Sequence, residues 1–180
     1  NTDLSGLNSD ETLETDIIVD YTFAPSDMLS VSLGNAYYSF GAAGGSTHEA
    51  YLGLGLDTIL APSFTVYYDY DQASSDDIDG LYYSLGFGHD IDLAEGLSLS
   101  VGAAINYSQE SPFVYSIVNS GMVFDDFGTA DFSAGIAYSI TDQVSVDASY
   151  LYYYVVGDDA EDIGLLEDEG YVSVGATLAF

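Results

Sequence analysis

The sequence predicts an all-β fold, an antiparallel up-and-down β-barrel that crosses a membrane, and three observations carry this prediction. Apolar residues alternate with small or polar residues in nine segments of the 180-residue chain, which is the period of a strand with two unlike faces. The connections between these segments alternate between short turns and longer loops. Tyrosines collect at one end of the apolar face, as in the aromatic belts of transmembrane barrels.

The first four strands are separated by two short turns and one glycine-rich loop. "APSD" (24–27) and "APS" (61–63) place Pro, Ser and Asp at turn positions, and "GAAGGST" (41–47) is the loop. Between these breaks every second residue is apolar. The four apolar faces are Ile17, Val19, Tyr21 and Phe23; Leu29, Val31, Leu33 and Tyr37; Leu52, Leu54 and Leu56; and Phe64, Val66, Tyr68 and Tyr70.

Five further strands follow the same rule. They are separated by a polar loop (72–80), a turn "DLAEG" (92–96), an irregular stretch from about 108 to 129, a turn "TDQ" (141–143) and an acidic loop (157–170). Their apolar faces are Tyr83, Leu85 and Phe87; Leu97, Leu99, Val101, Ala103, Ile105 and Tyr107; Phe132, Ala134, Ile136, Tyr138 and Ile140; Val144, Val146, Ala148, Tyr150, Tyr152 and Tyr154; and Val172, Val174, Ala176, Leu178 and Phe180.

The two faces of these strands indicate which one meets lipid. The apolar face carries no formal charge and is interrupted only by His89, while the other face is made of Gly, Ser, Thr, Asn and Asp. A soluble β-sandwich, the alternative, would carry long charged side chains on its polar face and gives no reason for aromatic belts. The predicted belt residues are Tyr37, Tyr68, Tyr70, Tyr83, Tyr107, Tyr150, Tyr152 and Tyr154 at one rim and Phe180 at the other.

Charge restricts what the chain can bind. Lysine and arginine are absent, Asp and Glu total 30, and the formal net charge is −30. Such a surface repels phosphates, which excludes nucleic acid as a partner, and attracts cations. The chain also has no cysteine, so disulfides and thiolate metal sites are excluded.

Carboxylates on the small-residue face are the main candidates for function. Rings of Asp or Glu favour cations in a pore, and without Lys or Arg these groups cannot form internal salt bridges. We therefore expect a lumen that is filled with water or holds cations. The alternative is that the carboxylates lie near the rims in bulk water and have no specific function. The predicted lumen carboxylates are Asp20, Asp57, Asp69, Asp90, Asp131 and Asp147.

Two acidic loops are candidates for binding Ca²⁺ or Mg²⁺, since both ions prefer oxygen ligands. The first loop lacks the spacing and terminal Glu of an EF-hand, and a solvated acidic loop is the favoured interpretation of both. No cofactor is otherwise predicted. The candidate loop residues are Asp76, Asp77, Asp79, Asp158, Asp159, Glu161, Asp162, Glu167 and Asp168.

The last strand resembles the C-terminal signal of bacterial outer-membrane proteins, a polar residue and a glycine followed by alternate hydrophobics and a terminal aromatic residue. In that group the outer-membrane assembly machinery reads this strand. The matching residues are Ser173, Gly175, Leu178 and Phe180.

Four longer segments of the chain are "LETDIIVDYTF", "LDTILAPSFTVYYDYD", "GLYYSLGFGHDIDL" and "LSLSVGAAINY". Through these segments the chain, from about residue 11 onward, resembles the TorF-type porin family of outer-membrane barrels. This resemblance implies a barrel with further strands upstream and transfers no catalytic residues.

The number of predicted strands does not determine how the barrel closes. Nine strands can be identified in the sequence, whereas single-chain bacterial barrels have an even number of strands. The expected total therefore lies between eight and twelve. Either strands precede residue 1, or "PFVYSIV" within 108–129 adds one, or several subunits close the sheet together. Residues 1–180 are predicted as one barrel domain, with 1–12 as a polar lead or outer loop.

The sequence thus supports two functions in the bacterial outer membrane. The first is a passive porin that favours cations through its Asp-lined lumen. The second is a structural or surface barrel with a blocked lumen that acts through its acidic loops in adhesion or ordered, cation-bridged self-assembly as a homo-oligomer. The expected partners are membrane lipid and the assembly machinery. The sequence shows no recognisable combination of a catalytic nucleophile and a base, so we predict that the chain is not an enzyme.

Overall fold

Nine strands form a single sheet in the computed structural model, which describes residues 15–39, 46–71, 80–110, 125–158 and 167–179. The strand order follows the chain, and every neighbouring pair is antiparallel. The nine predicted strands and the all-β class are therefore confirmed. The strands are β1 Thr15–Ser26, β2 Leu29–Ser39, β3 Ser46–Leu56, β4 Ser63–Asp69, β5 Leu81–Ala94, β6 Leu97–Gln109, β7 Asp126–Ser139, β8 Val144–Val155 and β9 Glu169–Leu178.

Three strands begin earlier than the sequence predicts, and one of them is β9, which starts at Glu169 within the predicted acidic loop (157–170). β3 starts at Ser46, although 41–47 reads as a loop, and it pairs with β2 along its whole length. β7 starts at Asp126, inside the stretch predicted to be irregular up to about 129. In these strands the first residues show little apolar alternation, Phe127 being the one large apolar side chain among the first four residues of β7, and cross-strand hydrogen bonds decide the outcome.

The sheet has an outer face and an inner face with opposite character. Leu, Val, Ile, Phe and Tyr of the outer face are exposed, up to 81 % for Val174. The inner face is defined by the polar side chains that are buried on it, namely Thr47, Asp69, Asn106 and Ser108, whose exposed fractions are 2–7 %. Among the described residues, only Ala36 and Val155 are fully buried hydrophobic side chains.

This distribution is the reverse of that in a soluble sandwich, where apolar side chains are packed between two layers. Since there is one layer here, the inner side chains cover one another only if the sheet curves around that face. The predicted division of the sheet into an exposed apolar face and a face that carries the polar residues is confirmed.

β1 and β9 are the two edges of the sheet, because neither pairs with a second strand within the described ranges. All 12 residues of β1 are exposed, and nine of the ten residues of β9 are as well. Among the residues that the structure describes, no helix is long and apolar enough to cross a bilayer.

Candidate solute-facing site on the inner face

The strand registers place five of the six predicted lumen carboxylates within strands, on the inner face. Each lies opposite an inner-face residue of the next strand: Asp20 opposite Gly34, Asp69 opposite Glu49, Asp90 opposite Ser100, Asp131 opposite Ala104 and Asp147 opposite Gly175. Asp57 instead follows the end of β3 in a short turn, where its backbone N–H donates to the carbonyl of Met28.

A buried carboxylate group lies at the rim of the long loops, which we call the upper rim. Thr47 Oγ1 lies 2.6 Å from both carboxylate oxygens of Asp69 and donates its proton to them. Glu49 is the cross-strand neighbour of Asp69 and accepts a hydrogen bond from Tyr38 Oη at 3.5 Å. Glu49 is absent from the carboxylates predicted from sequence, because it lies between the predicted loop (41–47) and the first residue of the next predicted apolar face, Leu52. The pairing of β3 with β2 and β4 brings it onto this face.

The inner face also carries tyrosines, where only small and short polar residues were predicted; that part of the prediction was wrong. A tyrosine row crosses β3, β4 and β5, with ring centroids 5.5 Å apart for Tyr51 and Tyr67 and 5.8 Å apart for Tyr67 and Tyr82. A second tyrosine pair, Tyr153 and Tyr171, lies on β8 and β9 with its ring centroids 5.7 Å apart. The rings thus occupy space over the inner face at two places, on β3 to β5 and on β8 and β9.

Tyr51 reaches across a whole strand because the residue between is glycine. Its ring lies over Gly34, and its hydroxyl donates a hydrogen bond of 2.9 Å to Asp20 Oδ2 on β1. A methyl group at position 34 would overlap that ring. The glycine is therefore required for the close approach of a side chain rather than for backbone freedom.

Asp131 lies between the tyrosine row and the tyrosine pair. A register shift between β6 and β7 leaves Asn106 opposite two residues of β7, the geometry of a β-bulge. There the Asn106 amide donates to Thr129 Oγ1 at 3.0 Å and to Asp131 Oδ2 at 2.7 Å. The other carboxylate oxygen, Asp131 Oδ1, is enclosed and has no hydrogen-bond partner among the described residues.

A cavity of about 370 Å³ opens below Asp131 along a strip of small residues. We call Gly86, Gly88, Gly102, Ala104 and Ser133, which line this cavity, the small-residue strip. Asp131 and Leu151 also line the cavity. Glycine and serine leave this space open because their side chains do not extend from the sheet.

The predicted upper belt lies on the outer face and is connected by ring contacts. Tyr83 and Tyr107 have centroids 6.3 Å apart, and Tyr68 and Tyr70 are 6.4 Å apart. His48 adds to this face, which was expected to hold His89 alone: its ring stacks between Tyr37 at 4.8 Å and Tyr70 at 5.9 Å. Tyr150, Tyr152 and Tyr154 share this face on β8.

Part of the predicted cation-binding loops falls outside the described residues, namely Asp76, Asp77, Asp79, Asp159, Glu161 and Asp162. Asp158 and Glu167 are exposed. Asp168 is used within the fold: it accepts hydrogen bonds from Tyr152 Oη at 3.0 Å and from the Val155 backbone N–H at 2.9 Å. The described ranges hold no group of three or more Asp, Glu or His residues suited to a metal ion, and binding of Ca²⁺ or Mg²⁺ stays a prediction.

The predicted assembly signal coincides with β9. Ser173 and Gly175 lie on the inner face, Gly175 against the Asp147 carboxylate, and Leu178 ends the strand. Phe180 falls outside the described residues. Recognition by the assembly machinery stays a prediction.

Comparison with known proteins relates the fold to a porin. A solved structure of the NanC porin superposes with a TM-score of 0.56 at 15 % sequence identity, covering 93 % of this chain and 79 % of that chain. No protein-family model matches the chain, and no curated protein matches it. The fold is thus porin-like, while the resemblance to the TorF-type family stays a prediction.

Proposed function

We propose that the chain is a passive porin of the bacterial outer membrane whose interior favours cations. The observation that carries this proposal is the reversed distribution of side chains, with oily residues exposed outside and carboxylates with tyrosines and glycines inside. An exposed apolar face of this extent marks a contact surface, and the tyrosines at its upper rim favour a bilayer as the partner. The porin-like fold supports the same assignment.

Cation preference follows from the charge balance of the inner face. The chain offers no Lys or Arg to neutralise the inner carboxylates, and its two histidines lie on the outer face, paired with Tyr37 and Val101. The potential along the inner face is therefore negative at neutral pH, which concentrates cations and excludes anions. The proposal gives the chain no catalytic step.

Conductance in planar bilayers tests this proposal. Under a KCl gradient we expect open channels, with a reversal potential whose sign shows that K⁺ permeates more readily than Cl⁻. The triple variant Asp20→Asn, Asp69→Asn, Asp131→Asn should shift that potential toward zero. A matched triple variant of exposed residues in turns and a loop, Asp27→Asn, Asp142→Asn, Asp158→Asn, should shift it less. Zero conductance, or preference for Cl⁻, would contradict the proposal.

The unpaired edges favour a second candidate, a structural barrel that assembles with further copies. Within the part of the chain that the structure describes, β1 and β9 each pair with one strand only, and the backbone groups along an open strand edge template pairing with other chains. Electron microscopy distinguishes the candidates: regular arrays that form with Ca²⁺, from protein that conducts no ions, would favour assembly over transport.

A further inference from the structure

We propose that Glu49 and Asp69 share one proton at neutral pH, so that the charge of the upper rim depends on pH. The two residues are direct cross-strand partners on β3 and β4. The shared proton is a property of the sheet itself. Its effect on the passage of ions rests on the proposed function, because that effect requires an open channel.

The first observation is the register of the two carboxyl groups. Residues directly opposite each other on antiparallel strands have Cβ atoms about 4.5–5.5 Å apart, and Glu49 lies opposite Asp69 on the inner face. Asp69 is 7 % exposed, and Glu49 is half-buried. Two carboxylates that share a site with little water do not both ionise readily, because each negative charge disfavours the other.

The second observation is that the chain offers this pair no cationic side chain as a partner. Lys and Arg are absent from the whole sequence. Of the two histidines, His48 is the nearer in the chain, but it lies on the outer face, where its ring stacks against Tyr37 and Tyr70. An ion pair with a side chain, which would stabilise both negative charges, is therefore not available, and a proton takes its place.

The hydrogen bonds around the pair assign the proton to Glu49. Thr47 Oγ1 lies 2.6 Å from both carboxylate oxygens of Asp69 and donates to them, and a hydrogen bond donated to a carboxylate favours its charged form. The Tyr38 hydroxyl donates to Glu49 Oε1 at 3.5 Å, which is too long for a strong hydrogen bond. Asp69 therefore keeps its charge, and Glu49 holds the proton.

The other titratable groups around the pair are phenolic or acidic. Tyr38 comes from β2, and Tyr67 and Tyr82 share the inner face on β4 and β5. Asp16 on β1 lies opposite Tyr38, and Asp71 follows the end of β4. None of these groups carries a positive charge, and the two aspartates add negative charge, so the surroundings favour retention of the proton.

The proton connects the pair to the proposed transport of cations. Its loss in mild alkali adds one negative charge to the upper rim and should raise the preference for cations, whereas a second proton taken up in acid should lower it. The two protons leave in separate steps that belong to the pair rather than to one residue.

Infrared difference spectroscopy of the protein in an alkyl maltoside, a detergent without a carbonyl group, tests the proton directly. A protonated carboxyl group gives a C=O band that a carboxylate lacks, and ordinary carboxyl groups release their protons near about pH 4. In the original protein we expect the intensity of one carboxyl group to disappear between neutral and mildly alkaline pH. Absence of any such loss would overturn the inference.

Three isosteric variants show whether the proton is shared. Glu49→Gln should remove the neutral-pH intensity of one carboxyl group. Asp69→Asn should remove it as well, because Glu49 then ionises without a charged neighbour. Asp90→Asn, an exposed carboxylate on the same face, should leave the band unchanged. Far-ultraviolet circular dichroism that matches the original protein shows that each variant is folded.

Two patterns would contradict sharing. A band that persists in Asp69→Asn would mean that burial alone protonates Glu49, and a band that persists in Glu49→Gln would place the proton on another residue. In either case the pair does not act as a unit.

Conductance then tests the consequence for transport. The reversal potential under a KCl gradient should move further toward K⁺ preference between neutral and mildly alkaline pH, and Glu49→Gln should abolish this movement. The infrared test requires no open channel, so the two proposals fail separately. Protein that shows the shared proton but conducts nothing refutes the porin alone, and protein that conducts K⁺ selectively without the neutral-pH band refutes the pair alone.

Discussion

Tyrosines occur on both faces of the sheet, and the two groups differ in what their hydroxyl groups reach. On the outer face, Tyr107 donates to Asp125 at 2.6 Å and Tyr152 donates to Asp168 at 3.0 Å, both at the upper rim. On the inner face, Tyr51 reaches across β2 to Asp20 on β1, away from that rim. Tyr107 and Tyr152 thus connect strands to rim carboxylates, whereas Tyr51 lies over the inner face itself.

The contrast shows that residue type does not determine the role of a tyrosine in this sheet. The outer rings suit an interface between water and hydrocarbon, where an apolar body and a polar tip are both satisfied. On the inner face, Tyr51 and Tyr38 donate hydrogen bonds to the carboxylates of Asp20 and Glu49. Three pairs of variants test this difference between the faces.

The largest effect is expected from placing an arginine on each face of the same strand. Val101→Arg puts a charge on the outer face of β6 and should lower the free energy of unfolding in lipid vesicles by about 2–4 kcal/mol. Ser100→Arg, the adjacent residue on the inner face, should change it by less than about 1 kcal/mol, since inner carboxylates accept the new charge. Urea titration followed by tyrosine fluorescence measures both.

Similar losses for the two arginine variants would contradict the assignment of the faces. The comparison needs no knowledge of the transported solute, because it depends only on which side of the sheet meets hydrocarbon.

A smaller effect is expected from a methyl group beneath an inner tyrosine. Gly34→Ala would displace the Tyr51 ring and should destabilise the fold by about 1–3 kcal/mol, as in other overpacked sites. In the matched variant Gly53→Ala, the new methyl group meets Ser32 Cβ at 3.4 Å, an ordinary contact, and the change should stay below about 0.5 kcal/mol. Equilibrium unfolding checks both; equal values would mean that Tyr51 does not depend on Gly34.

The smallest effect is expected from removing an acceptor of an outer tyrosine. Asp168→Ala deletes the partner of Tyr152 and of the Val155 N–H and should reduce stability by about 1 kcal/mol, the net value of ordinary hydrogen bonds. Asp158→Ala, an exposed carboxylate in the same connection, serves as the control with a change within about 0.5 kcal/mol. If Asp158→Ala has the larger effect, the rim contact of Tyr152 is not what stabilises β8.

The sequence predicted most of the fold because its main signal is local. Alternation within single segments such as 97–107 identifies a strand and its faces without reference to neighbours. The same signal fails where strands begin with polar residues, as at Thr47 and Glu49 of β3, and that failure hid the carboxylate beside Asp69. It also fails for Tyr82 and Tyr153, since a tyrosine on the polar side of an alternating segment reads as an exception to the pattern.

The sequence by itself determined the all-β class, the nine strands, the oily and polar faces and the negative charge without an internal counter-ion. Only the tertiary structure decided that Tyr51 passes over Gly34 to Asp20 and that Asp131 lies opposite Tyr153 and lines a cavity together with the small-residue strip. The physical reason is that periodicity fixes the face of a residue, whereas its height relative to the next strand depends on turns and on the β6–β7 bulge. The meeting of these side chains is therefore a property of strand register, which no single segment of the chain contains.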